Sequence, residues 1–203
     1  MAKITNTGVF IVEGSDDATH VAGSSQLWVK SDAPSSLYHT DDTGTKFRIN
    51  GTTVTAELAA SGTTMTISGI PAGVTRVDVL MEALSTNGTG EWMMRIGDSG
   101  GIETSGYTSK ACNAAGNMET DTTAYKLTYE VAAGDTRDGI LQLRLSDATN
   151  NTWISSGVHS DNGSTSINTS AGAKSLGGAL TQIQLLNSGG NTWDAGTIAL
   201  QYS

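Results

Sequence analysis

The chain has one cysteine, Cys112, and therefore no intrachain disulfide. Its stability must come from core burial or from association. No histidine or second cysteine clusters around Cys112 in the sequence, so an inert, partly buried thiol is expected there. Basic residues are also scarce. Eleven Lys and Arg stand against twenty Asp and Glu, a formal charge of −9. That balance excludes a nucleic-acid partner, because neutralising phosphates needs Lys and Arg. It equally disfavours an anionic membrane surface. No apolar run approaches the length of a membrane span. The opening residues MAKITNTGVFIVEG lack a basic segment followed by a long apolar one, so no signal peptide is expected. Synthesis in a cytoplasm follows from that expectation. Helical patterning is missing too: Ala, Glu, Lys and Leu do not recur with a 3.6 period, and Gly and Thr are poor in helix interiors.

What the chain has instead is alternation. Val77, Val79 and Met81 alternate with Arg76, Asp78 and Leu80, and Trp92, Met94 and Ile96 alternate with Met93 and Arg95. Asn87-Gly88 and Gly90 mark the turn between them. These two runs are expected to form a central antiparallel pair. Further strands are read at Val54–Leu58, Tyr125–Tyr129, Leu141–Leu145, Trp153–Ile154, Ile183–Leu185 and Ile198–Tyr202. The stretch 102–122 reads as a long loop, and 158–178 as a polar tract. About eight strands after Thr63 suit an antiparallel β-sandwich of jelly-roll type.

The first sixty residues read differently. Val9, Phe10, Ile11 and Val12 form a run that is apolar on both faces, which needs cover on both. It is either an edge strand of this chain's own sheet or a strand that docks on a partner. From Ser24 to Gly51 the turns at Pro34 and Asp41-Asp42-Thr43-Gly44 separate three short strands, a β-meander too small to be stable alone. The expected division is residues 1–62, an N-terminal attachment and trimerisation region, and residues 63–203, the sandwich.

Within that meander Leu27, Trp28, Val29, Lys30, Asp32, Pro34, Leu37, Tyr38, Thr40, Asp41, Asp42, Gly44 and Thr45 form a pattern. It resembles a segment that recurs in virion structural proteins of tailed bacteriophages, in tail-fibre and head-appendage proteins particularly. The run Trp92–Tyr107 is similar to a jelly-roll module met in such proteins. The resemblance implies a non-enzymatic homotrimer on the virion surface, made in the host cytoplasm. Its partners would be the major capsid protein or another virion protein, with Val9, Phe10, Ile11, Trp28 and Tyr38 as contact residues. The chain carries no heptads, no G-X-Y repeat and no β-helix period, so there is no fibre shaft. A capsid decoration (cement) protein is therefore favoured over a short tail or head fibre whose jelly roll binds a host glycan.

Candidate chemistry is sparse. Gly97-Asp98-Ser99-Gly100-Gly101 matches the string around the nucleophile of chymotrypsin-like proteases. A triad, however, needs a placed His and Asp, and His20, His39 and His159 lack that family's setting. A tight Gly/Asp/Ser turn accounts for the same letters. Asp16-Asp17, Asp41-Asp42 and Asp161-Asn162 offer oxygen ligands for calcium but lack EF-hand spacing. Glu82, Glu91, Glu103, Glu119 and Glu130 are available carboxylates that nothing in the sequence pairs. Trp153 and Trp193 each follow Asn-Thr in Gly/Asn/Ser-rich surroundings, a setting for loop-tip exposure and sugar stacking, against which stands core or intersubunit packing, the commoner role of Trp. No catalytic residue, metal or cofactor is expected.

Overall fold

Alternation along the chain becomes strand throughout: every regular element among the described residues is β. The computed structural model describes residues 13–14, 25–30, 36–40, 46–49, 52–163 and 166–203. The chain divides into two units, Met1–Thr52 and Thr53–Ser203.

In the first unit β1 (Glu13–Gly14), β2 (Gln26–Lys30), β3 (Ser36–Thr40) and β4 (Lys46–Ile49) form one sheet in that order. β2, β3 and β4 are the expected antiparallel meander, and β1 adds parallel to β2. The β2–β3 register sets Trp28 directly opposite Tyr38. Their rings stack with centroids 4.7 Å apart, and the Trp28 indole donates to Thr40 Oγ1 at 2.9 Å. Trp28, expected to contact a partner, is thus buried within its own unit. Val9, Phe10 and Ile11 lie outside the described residues, as do the turns at Pro34 and Asp41–Gly44.

The second unit begins at Thr53 rather than after residue 62. β5 (Thr53–Val54) and β6 (Leu58–Ala59) both pair with the last strand, β18 (Trp193–Tyr202), and so belong to the sandwich. One sheet runs β7 (Thr64–Ser68), β17 (Gln182–Asn187), β9 (Trp92–Asp98), β10 (Gly101–Ile102), with β13 (Tyr125–Lys126) also on β9. The other has nine strands. From one edge they are β12 (Met118–Asp121), β11 (Thr108–Asn113), β16 (Ser166–Ser175), β15 (Thr152–Asp161), β14 (Arg137–Asp147), β8 (Arg76–Thr86), β18 and β5, with β6 also on β18. Between them lie Val77, Val79, Leu141, Leu143, Ile198 and Leu200 from the large sheet and Met94, Ile96, Ile183 and Leu185 from the small one. The antiparallel sandwich is as expected, and each of these residues belongs to an alternating run visible in the sequence.

Three expectations are corrected. β8 and β9 are not paired. β8 lies between β14 and β18, and β9 pairs with β17, β10 and β13. Both strands carry an apolar face, and placing them in opposite sheets buries the two faces against each other. The stretch 102–122 is not a long loop but contains β11 and β12, and the polar tract 158–178 contains the end of β15 and all of β16.

The segment 124–131 runs beside β9 in the small sheet and against β11 and β16 of the large one, and Ala124–Thr128 and Val131 are buried. Only Tyr125 and Lys126 pair as a strand. The rest of its backbone is bonded piecemeal, since buried amides need partners. Lys126 N donates to Ser109 Oγ at 2.6 Å, Leu127 N to Trp92 O at 2.9 Å, and Tyr129 N to Asn168 Oδ1 at 3.1 Å. Val131 and Gly90 exchange backbone bonds of 2.9 and 3.0 Å. The Tyr125 hydroxyl donates to Trp153 O at 2.9 Å. Beneath the Tyr125 ring lies Gly172, where a Cβ would stand 2.8 Å from ring Cδ1 and 2.7 Å from Thr108 O. Only glycine lets segment and sheet come this close.

Adjacent residues on β16 give a clean test. Asn168→Leu leaves the half-buried Tyr129 amide unbonded, and should cost about 1–3 kcal/mol in urea unfolding. Thr169→Val, on the exposed face of the same strand, should stay within about 0.5 kcal/mol. Equal effects of the two changes would contradict the assigned register.

Candidate functional site

Of the two settings open to Trp153 and Trp193, loop tip or packed interior, both take the interior, each 1% exposed. Trp193 meets Trp92 edge to face, with centroids 5.0 Å apart. In both cases Asn-Thr ends a turn and the tryptophan lies at the start of a strand, β15 or β18, with its side chain on the inner face. Neither Trp153 nor Trp193 can stack on a sugar in this arrangement.

The GDSGG string is the hairpin between β9 and β10. Asp98 pairs with Gly101 and Gly97 with Ile102, leaving Ser99 and Gly100 as the exposed turn. The Asp98 carboxylate accepts from Gly100 N at 2.7 Å, and Gly101 takes a φ of 123°. The aspartate is thus spent on the turn's own backbone. His159 is on the inner face of β15, His39 is in the first unit, and His20 lies outside the described residues.

Asp161 forms an ion pair with Arg137 at 2.7 Å, and Asn162 donates to Asp138 at 2.7 Å. Asp16-Asp17 and Asp41-Asp42 lie outside the described residues. Among the described residues no group of three or more His, Cys, Asp or Glu is placed to hold a metal ion.

The structure does pair two of the carboxylates. Lys126, almost fully buried, reaches Glu91 at 2.7 Å and also contacts Glu119. This clamp ties the edge strand β12 to the start of β9. Burial pulls the Lys126 ammonium toward neutrality, but the two carboxylates outweigh it and its pKa is raised. Glu91 is held above the ordinary carboxylate range by burial and by the neighbouring Glu119 carboxyl, and Glu119 below it by Glu91 and Lys126. Because a lysine stands between the acids, it offsets one of their two charges and the group acts as a tie.

A second buried charge lies further along the large sheet's inner face. Arg137 is 1% exposed, bonded to Asp161 and to Glu130 O, and stands 6.0 Å over the Trp92 ring. His159, paired in register with Gly139, lies beside it. Burial and then the Arg137 charge push the His159 pKa down to about 4.

The opposite, outer face of the large sheet is where exposed large hydrophobics are concentrated. Seven adjacent strands align Ala199, Leu80, Ile140, Val158, Thr169, Cys112 and Met118, each directly opposite the next. The row is uncharged. Ile154 and Ile167 flank it and, with Ile140, Val158 and Met118, are exposed large hydrophobics. At one end a groove of about 420 Å³ opens where Val54, Thr55 and Glu57 stand over Leu80, Ile140 and Ala199. At the other a shallower hollow of about 270 Å³ is lined by Lys110, Cys112, Met118 and Thr169. Sequence patterning missed this face because its residues come from strands that were unread or were read one face at a time.

His159 makes stability depend on pH. The unfolded histidine binds its proton near pH 6.5, and the folded one only near 4. Between those values the unfolded state holds more protons. The histidine's contribution is therefore complete above about pH 6.5 and lost as pH falls toward 4, by roughly 3 kcal/mol at most. Urea unfolding should show this slope, and His159→Gln should flatten it in that window. An unchanged slope would contradict a neutral, buried His159.

Compared with family models, curated proteins and solved structures, the chain matches none of them.

Proposed function

We propose that this chain is a non-enzymatic structural protein of the tailed-bacteriophage virion, a capsid decoration (cement) protein that binds the major capsid protein and stabilises the shell. The observation that carries the structural role is the outer face of the nine-stranded sheet. An uncharged row crossing seven strands, with large aliphatic side chains left in solvent, marks a protein-contact surface. Its work would be burial of apolar area between neighbours, which needs no reacting group.

The virion assignment rests on the resemblance of the Trp28–Thr45 segment. Its described residues support the segment as a folded module, since Trp28, Tyr38 and Thr40 make that unit's internal contacts. The fibre alternative takes its sugar contacts from Trp153 and Trp193, and both are in the core.

Counting copies in purified virions by quantitative mass spectrometry tests the proposal. A decoration protein should be present at the same order as the major capsid protein. A far smaller number would move the chain to a fibre or tail position. Absence from the particle would overturn the virion assignment.

A further inference from the structure

We infer that the outer face of the nine-stranded sheet binds a second copy of this chain, face to face, about a twofold axis lying along β15. This rests on the reading of that face as a protein-contact surface and names its occupant; it does not depend on the virion assignment, and the capsid contact would then use another surface of the dimer.

The first argument is size. Strands about 4.8 Å apart give the seven-strand row a length of roughly 30 Å. From Ile154 to Ile167, which pairs with Ser160, the patch extends about 20 Å along β15. A footprint on the order of 600 Å² is close to the ~800 Å² per partner of a standard interface.

The second argument is charge. Copies of a chain with net charge −9 repel, and the uncharged row is where they can meet without opposing like charges. In the neighbouring row Asp78 is already bonded to Arg76 at 2.6 Å. Lys110 stands in that same row, at its β11 end. Rotation about β15 brings each copy's Lys110 over the partner's Asp78, because β11 and β8 each lie two strands from the axis. An axis along the row would set like ends together.

The third argument is shape. β15 is the middle strand of the seven, with β14, β8 and β18 on one side and β16, β11 and β12 on the other. The rotation therefore places Ile140 opposite Thr169, Leu80 opposite Cys112 and Ala199 opposite Met118, large against small, with Val158 meeting its own copy. Inner faces of packed sheets interdigitate in this way. Met118, 61% exposed and flexible, falls over the groove floored by Ala199.

Light scattering on the full chain tests this. The wild type should have twice the 20.9 kDa chain mass. Val158→Glu sets two carboxylates against each other at the axis and should raise the dissociation constant at least a hundredfold, giving a monomer. Val158 is 55% exposed, so far-UV circular dichroism and cooperative unfolding should be retained. Ser156→Arg, exposed on the same strand, should give the same result and serves if Val158→Glu does not fold. A monomeric wild type, a trimer, or a dimer that survives either folded variant would overturn the inference.

Discussion

Segment 124–131 is buried beside the start of β9 with ladder partners for only Tyr125, Lys126 and Val131, and the strands around it supply the remaining bonds to its backbone. An unbonded amide in that position costs about 1–3 kcal/mol. The inner faces of β11 and β16 therefore carry Ser109 and Asn168, which accept from the segment's backbone. Trp92 and Gly90, at and just before the start of β9, bond it from the other side. Gly172 leaves room for Tyr125, whose hydroxyl is bonded to Trp153 O. The Lys126 clamp and the Arg137–Asp161 pair are further ties on the same side of the sheet.

This arrangement has a consequence on the far side. In a strand, residues of one parity face one way. Once Asn168 and Ser170 are committed inward on β16, and Ser155 and His159 on β15, their neighbours Ile167, Ile154 and Val158 must face out. The polar lining of the interior and the apolar outer face are thus two sides of one register. The proposed association surface there would be a product of how the core is satisfied, with no separate device required.

The same inversion explains how much the sequence disclosed. Strands whose apolar residues face the core were legible: Val77 and Val79, Trp92 and Met94, Leu141 and Leu143, Ile183 and Leu185, and Ile198 and Leu200 all alternate and are all buried. The meander and the Gly97–Gly101 turn were legible from their turn residues. β16 was not, because Asn168, Ser170, Gly172 and Lys174 line its inner face and read as a solvent-exposed tract. β11 was lost in the same way behind Ser109 and Ala111. For Trp153 and Trp193 both loop-tip exposure and the commoner core packing stay open in the sequence, because Asn-Thr signals a turn but does not say whether the next side chain turns inward. Pairing of Glu91 with Glu119 through Lys126 depends on tertiary proximity that no local spacing encodes.

Amide hydrogen exchange tests the central constraint most directly. If the interior segment is bonded as described, the amides of Lys126, Leu127 and Tyr129 should exchange as slowly as those of Met94 and Ile96 on β9, through global unfolding alone. Exchange of those three amides at the rate of exposed turns such as Ser99–Gly100 would contradict the account.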